Sequence, residues 1–120
     1  MTDLMIFRKL AELKSAGTPC CLVTIVDARG STPRGPGAKM IVCADGTSWG
    51  SVGGGCGEKR ARSAALRCLL STKKPELLEV DLTDDLGTKG GDVCGGAMSV
   101  FVEPQGAWPE CPDTLNDCGL

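Results

Sequence analysis

Residues 53–57 read Gly-Gly-Gly-Cys-Gly, a run that neither a helix nor a strand accommodates in its interior. Glycine loses more backbone freedom on folding than any other residue, so a cluster of it marks a place where the chain turns tightly or comes close to something without a Cβ in the way. Just upstream, Ala44-Asp45-Gly46-Thr47 carries the Asp-Gly signal of a tight hairpin. Downstream of Glu58, the residues Ala61, Ala64, Ala65, Cys68 and Leu69 fall on one helical stripe, while Lys59, Arg60, Arg62 and Arg67 lie mostly off it. The run is thus a strand-to-helix loop, and the stretch from Gly46 to Arg60 is the part that the remaining chain is expected to hold.

The flanking elements follow from periodicity. Asp3 is a plausible N-cap for an amphipathic helix in which Ile6, Leu10 and Leu13 recur at i, i+4 and i+7, ending near Gly17. Residues 20–28, CCLVTIVDA, are too continuously apolar for a strand with one wet side, and predict a strand buried on both faces. Two prolines and three glycines make 30–37 a loop. Residues 38–43 and 47–52 predict the arms of the hairpin. Leu78, Val80 and Leu82 alternate with Glu79 and Asp81, and Met98, Val100 and Val102 with Ser99, Phe101 and Glu103, which predicts two more strands around a polar loop at 83–96. The order α-β-β-β-α-β-β predicts an α+β domain over 1–104, a mixed β-sheet with about two helices packed mainly on one face. Residues 105–120, rich in proline and turn formers, are expected to be a tail or linker.

Composition excludes several function classes. A net charge of −2 argues against nucleic acid or an anionic membrane as partner, and no apolar run approaches the roughly 18 residues of a membrane span. With no export signal at the N-terminus, a cytoplasmic protein is expected. The eight cysteines are scattered through strand and helix patterns and contain no C-x-x-C pair, which favours reduced thiols over a disulfide framework. The absence of histidine removes the usual zinc sites and every serine or cysteine mechanism that needs an imidazole base.

Two groups of residues could carry chemistry. Gly53, Gly54 and Gly55 followed by a helix start offer backbone N–H groups and a positive dipole end, which suits a phosphate; the alternative is a tight turn and nothing more, since the spacing fits neither a Rossmann nor a Walker loop. A helix N-terminus favours the thiolate form of a cysteine, so Cys56 is a candidate for reactivity or for a soft metal, against the plainer role of a small side chain in a turn. Cys94, beside Gly95 and Gly96, repeats the arrangement of a thiol among loop glycines, whereas Cys20, Cys21, Cys43 and Cys68 fall on element patterns and are expected to be core thiols. The second group is Ser31-Thr32-Pro33-Arg34 with Lys39 nearby: an arginine in a proline-stiffened loop can fork onto a phosphate or carboxylate, or simply be a surface arginine. Asp84 and Asp85 are either general bases, ligands for a hard metal, or a solvated turn.

Taken together, GSTPR (30–34), GAKM (37–40), GSVGGGCGE (50–58), VDLTDD (80–85) and CGGAMSVFVEP (94–104) resemble the N-terminal domain of the XdhC/CoxI family, over roughly Leu10 to Pro104. The resemblance implies a maturation factor for molybdenum hydroxylases such as xanthine dehydrogenase or CO dehydrogenase: a chaperone without turnover of its own that transiently binds the molybdenum cofactor, a pyranopterin or its dinucleotide form, and assists its sulfuration and insertion. Its motif positions here are Ser31, Pro33, Arg34, Gly37, Gly53, Gly54, Gly55, Cys56, Glu58, Cys94, Gly95, Gly96 and Met98; with Lys39 from the loop reading, the expected cofactor-binding residues are Ser31, Arg34, Lys39, Gly53, Gly54, Gly55, Cys56, Glu58, Cys94, Gly95 and Gly96, with Cys56 facing the molybdenum or its sulfur. The partners it implies are the hydroxylase large subunit, a cysteine desulfurase, and a separate protein supplying the Rossmann-like domain that usually follows; a homodimer is also compatible. Gly57 stands where an aliphatic residue is usual, which predicts a looser helix start, and Ser99 where an acid is common. The alternatives are a sulfur-transfer or redox protein working through Cys56 and Cys94, and a module that only docks on a hydroxylase subunit or a Rossmann partner.

Overall fold

Cys20–Arg29, β1, is the centre of a five-stranded sheet in the computed structural model, which describes residues 2–82 and 95–105. Around it lie β2 (Lys39–Cys43), β3 (Ser48–Gly50), β4 (Glu76–Asp81) and β5 (Ala97–Gln105), in the spatial order β3-β2-β1-β5-β4. Two helices complete the fold: α1 (Asp3–Ser15) precedes β1, and α2 (Gly55–Arg67) joins β3 to β4 through a π-helical turn at Cys68–Thr72. The α+β class expected from the element order is the one observed. The hairpin at residues 44–47 closes as expected, with the Cys43 N–H donating to the Thr47 carbonyl at 2.8 Å.

Two details of the architecture differ from the sequence expectation. The sheet is antiparallel throughout the described residues rather than mixed. The reason lies in where the helical crossover lands. Four successive antiparallel pairings leave β3 and β4 running in the same direction, as a crossover requires, but α2 carries the chain from one edge of the sheet to the other, so no two parallel strands become neighbours. The helices, moreover, pack on opposite faces and not mainly on one. Alternation along β1 sends Cys20 and Leu22 into a cluster with Ile6, Leu10, Ile41 and Cys43 under α1. Cys21, Val23 and Ile25 point the other way, into the larger cluster with Met40, Val42, Val80, Met98, Val100 and the small-residue face of α2. A strand apolar on both faces needs a cover on both.

The helix ends also move. Thr2, and not Asp3, caps α1, its hydroxyl accepting from the Met5 N–H at 3.2 Å. α2 begins at Gly55, six residues before Ala61, the first residue of the apolar stripe that announces it. Gly57, Ala61, Ala64 and Ala65 are its buried positions. A Cβ built on Gly57 would lie 2.9 Å from the Met98 Cε and 3.2 Å from the Leu82 Cδ2. The missing side chain therefore lets the first turn settle onto β4 and β5, in place of the looser start expected from the sequence. β5 ends one residue beyond Pro104; past Val102 it has only β1 beside it, which tolerates a residue without an N–H.

Candidate functional site

The glycine loop is braced from within. The Glu58 side chain reaches back from the first turn of α2, and its Oε1 accepts from the Gly54 N–H at 2.9 Å, the Val52 N–H at 3.2 Å and the Ser51 hydroxyl at 2.6 Å. Ser51 Oγ in turn accepts from the Gly53 N–H at 2.9 Å. Burial is the largest single influence on the Glu58 carboxyl and pushes its pKa up, but the hydrogen bonds from Ser51, Gly54 and Val52 together with the charge of Arg62 outweigh it and hold the group below its ordinary value. Glu58 is thus an ionised strut. With Ser51, which takes the Gly53 N–H, it satisfies the donors of residues 52–54 and leaves the backbone N–H groups of Gly55, Cys56 and Gly57, the first-turn donors for which a helix has no acceptor of its own.

Backbone geometry explains why glycine stands at 53, 54 and 55. Their φ angles are +125°, +73° and +62°, in the region that L side chains avoid. A Cβ at Gly53 would come within 2.5 Å of the Pro33 Cγ, so the proline-stiffened loop sits directly against the glycine run. Cβ atoms built at Gly54 and Gly55 meet nothing within 4 Å, and open space lies over the backbone there. Arg34, exposed next to Pro33, donates from Nη1 to the Ser51 carbonyl at 3.4 Å and lies beside Gly53.

The third motif closes the arrangement. A Cβ at Gly96 would be 2.4 Å from the Ser31 carbonyl oxygen and 2.5 Å from that of Arg29, so the start of β5 crosses the exit of β1 backbone to backbone. The Leu82 N–H donates to the Gly96 carbonyl at 2.8 Å and ties the end of β4 to the same corner. Ser31, Arg34, Gly53, Gly54, Gly55, Cys56, Glu58, Gly95 and Gly96 are therefore gathered at one end of the sheet. Lys39 is not among them. Its side of β2 faces α1, where Nζ donates to the Gly37 carbonyl at 2.9 Å, lies 3.5 Å from Asp3 Oδ2 and stands over the Phe7 ring. Cys94, Asp84, Asp85 and the segment 106–120 lie outside the described residues.

Among the described cysteines Cys56 alone is not buried. Burial, with a further push from Cys43 and a small opposing pull from Lys14, takes the Cys20 thiol to about 11; burial and then Cys68 take Cys21 higher still; burial and Asp45 raise Cys43 against a small opposing pull from Lys9. These thiols stay protonated and enclosed, as the sequence suggested for core positions. Among the described residues no three His, Cys, Asp or Glu side chains are grouped so as to hold a metal ion. No helix among them is long and apolar enough to cross a membrane.

Two contributors escape sequence reasoning. Ser51 sits seven residues before Glu58, outside the three-residue spacing by which a capping box is recognised. Arg62, apparently a solvent-facing helix residue, donates to Ser48 Oγ at 2.8 Å and the Gly46 carbonyl at 2.9 Å, locking α2 to the hairpin. Only its off-stripe position on the hairpin side of α2 hints at this. Ser99, standing where an acid is common, is buried and donates to Glu79 Oε2 at 2.8 Å, with Arg29 bridging Glu79 and Asp27 beside it.

Comparison with known proteins converges on one group. Residues 13–81 match the XdhC and CoxI family. The chain is 39% identical over 104 residues to the uncharacterized protein YqeB of Escherichia coli K12, covering 87% of this chain and 19% of that protein. It is also 39% identical over 100 residues to the molybdenum cofactor insertion chaperone PaoD of the same organism, covering 81% and 30% respectively. A crystal structure described as a xanthine dehydrogenase from Bacillus halodurans superposes with a TM-score of 0.74 at 32% identity, over 87% of this chain and 30% of that one. The chain thus spans less than a third of the length of each of these three proteins.

Proposed function

The chain belongs to the XdhC and CoxI family, and from that premise we propose that it is an accessory protein that binds the molybdenum cofactor and assists its sulfuration and insertion into a molybdenum hydroxylase. One observation carries the reading: three separate motifs meet at a corner where the backbone of Gly54 and Gly55 faces open space and the N–H groups of residues 52–54 are already satisfied by Glu58 and Ser51. The name of PaoD, a molybdenum cofactor insertion chaperone, supports the same ligand for this chain.

The residues present fit such a cargo. The first-turn N–H groups of Gly55, Cys56 and Gly57, at the positive end of α2, would take the cofactor's phosphate. Arg34 supplies the counter-charge, and its seat in a proline-containing loop limits the entropy lost on pairing. Cys56 presents a half-buried sulfur next to that phosphate site, where it can face the molybdenum or its terminal sulfur. Glu58 and Ser51 shape the loop and do not touch the ligand. The bound form is either the pyranopterin or its dinucleotide, held transiently. A cysteine desulfurase and a Rossmann-domain protein would act with the chain as sulfur source and second half of the site.

Retention of the cofactor is the test. Chain purified from a host that makes molybdenum cofactor is expected to carry pterin, read by fluorescence after oxidation, together with molybdenum, read by mass spectrometry. Arg34→Gln and Cys56→Ser should each lower both several-fold. Equal retention by the wild type and both variants would remove this corner from the reading.

A further inference from the structure

Six of the chain's thirteen basic residues lie between Lys59 and Lys74, a span without one acidic residue, while the other seven share the rest of the sequence with all fifteen acids. The segregation has a definite place in the fold. Arg62 is turned to the hairpin, but Arg60, Ser63 and Arg67 follow Cys56 at i+4, i+7 and i+11 and therefore share its stripe of α2. With Lys59, Ala64 and Leu78 of β4 they line a groove along the flank between α2 and β4. Its floor is apolar, from buried Ala64 and half-buried Leu78, and its rim is basic. Arg67 pairs with Glu76 at 3.2 Å and Arg60 donates to the Asp81 carbonyl at 3.4 Å. These bonds orient the guanidinium groups along the groove, beside the Lys59 ammonium. Beyond the end of α2, Leu70 is 70% exposed, close in sequence to Lys73 and Lys74.

We propose that this groove is where the recipient hydroxylase docks, through an acidic surface segment that carries an apolar side chain. The inference rests on the insertion reading given above. An apolar floor ringed by arginine and lysine has the anatomy of a protein interface, in which charge sets the encounter rate and a small apolar centre supplies the hold. The site's position fits delivery, because the groove begins at the helix turn that carries Cys56 and a protein seated in it borders the glycine loop. A nucleic acid fits less well: α2, at 13 residues, is about 20 Å long, and a longer polyanion would run onto the acidic remainder of the chain.

The experiment measures binding of the full chain to apo-xanthine dehydrogenase by surface plasmon resonance at several salt concentrations, with a 20-base-pair DNA duplex as a second analyte. The variants are Lys59→Glu/Arg67→Glu, the milder Lys59→Gln/Arg67→Gln, and Arg8→Glu/Lys14→Glu as an equal charge change on α1. The wild type is expected to bind the apoenzyme with salt-dependent association. The first variant should weaken it at least tenfold, mainly in the on-rate, the second about threefold, and the α1 variant less than twofold, with cofactor retention unchanged in all. If wild type and both groove variants bind the apoenzyme alike, the groove is not the docking site while the insertion reading stands. No binding of apoenzyme by wild type that does retain cofactor overturns the insertion role itself, and the inference with it. Tighter binding of the duplex than of the apoenzyme, abolished by the groove variants, overturns the assignment in favour of a nucleic acid.

Discussion

Glu58 shows how a single residue can prepare a site without belonging to it. Three donors converge on one carboxylate oxygen, and the group is held below its ordinary value of 4.5. A carboxyl whose folded value is depressed contributes stability that is present above the unfolded value and is lost as pH falls through the folded one. Glu58→Gln keeps the shape but loses the charge, and should cost about 1–3 kcal/mol at pH 7. The gap between wild type and variant should narrow as pH drops below about 4.5, and a chemical denaturation series from pH 7 to pH 3 measures it. A constant gap over that range would mean that the carboxylate's charge contributes nothing. The buried cysteines make the opposite point at the same scale: enclosure keeps Cys20, Cys21 and Cys43 protonated, so the chemistry open to a thiol among the described residues concentrates at Cys56.

Elements meet at the site through glycines, and the two classes of glycine should respond differently to substitution. Gly96 lies where β5 crosses the exit of β1, and an added methyl would press on two carbonyl oxygens and an amide of the backbone, none of which can swing aside. Gly96→Ala should cost about 3 kcal/mol or more, seen as a large drop in thermal midpoint. Gly35, in the neighbouring loop, has an ordinary φ and nothing within 4 Å of a built Cβ. Gly35→Ala should be neutral or stabilise by up to about 1 kcal/mol, because it restricts the unfolded chain. Similar midpoints for the two variants would contradict the close crossing. Much of this level was legible in advance: the hairpin at Asp45-Gly46, the loop at 30–37, and the break at Gly53-Gly54 all follow from residues whose backbone preferences are local. The start of α2 was not, since Gly55, Cys56 and Gly57 carry no helical signal and are wound into the helix by Glu58 bonding backwards and by contact with Met98 and Leu82.

At the scale of the molecule, one sheet separates two apolar clusters, one holding Ile6 of α1 and the other Met98 of β5 under α2. Ile6→Ala and Met98→Ala should each cost about 2–5 kcal/mol. Their effects should add to within about 0.5 kcal/mol, since they share no partner, while unfolding stays a single transition because β1 contributes side chains to both clusters. Two resolved transitions in calorimetry of the Ile6→Ala variant would show that the α1 layer folds separately. The sequence by itself determined the α+β class, the run of elements, the doubly buried central strand and most of the residues now gathered at the corner, because these depend on periodicity, turn chemistry and the motifs themselves. Only the tertiary structure decided that the helices flank the sheet on opposite faces, that Lys39 points to α1 while Arg34 points to the glycine loop, and that Ser51 and Glu58 consume the loop's donors. Those outcomes depend on which strand lies beside which and on a one-residue alternation of side chains across the sheet, and neither is encoded in any short stretch of the chain.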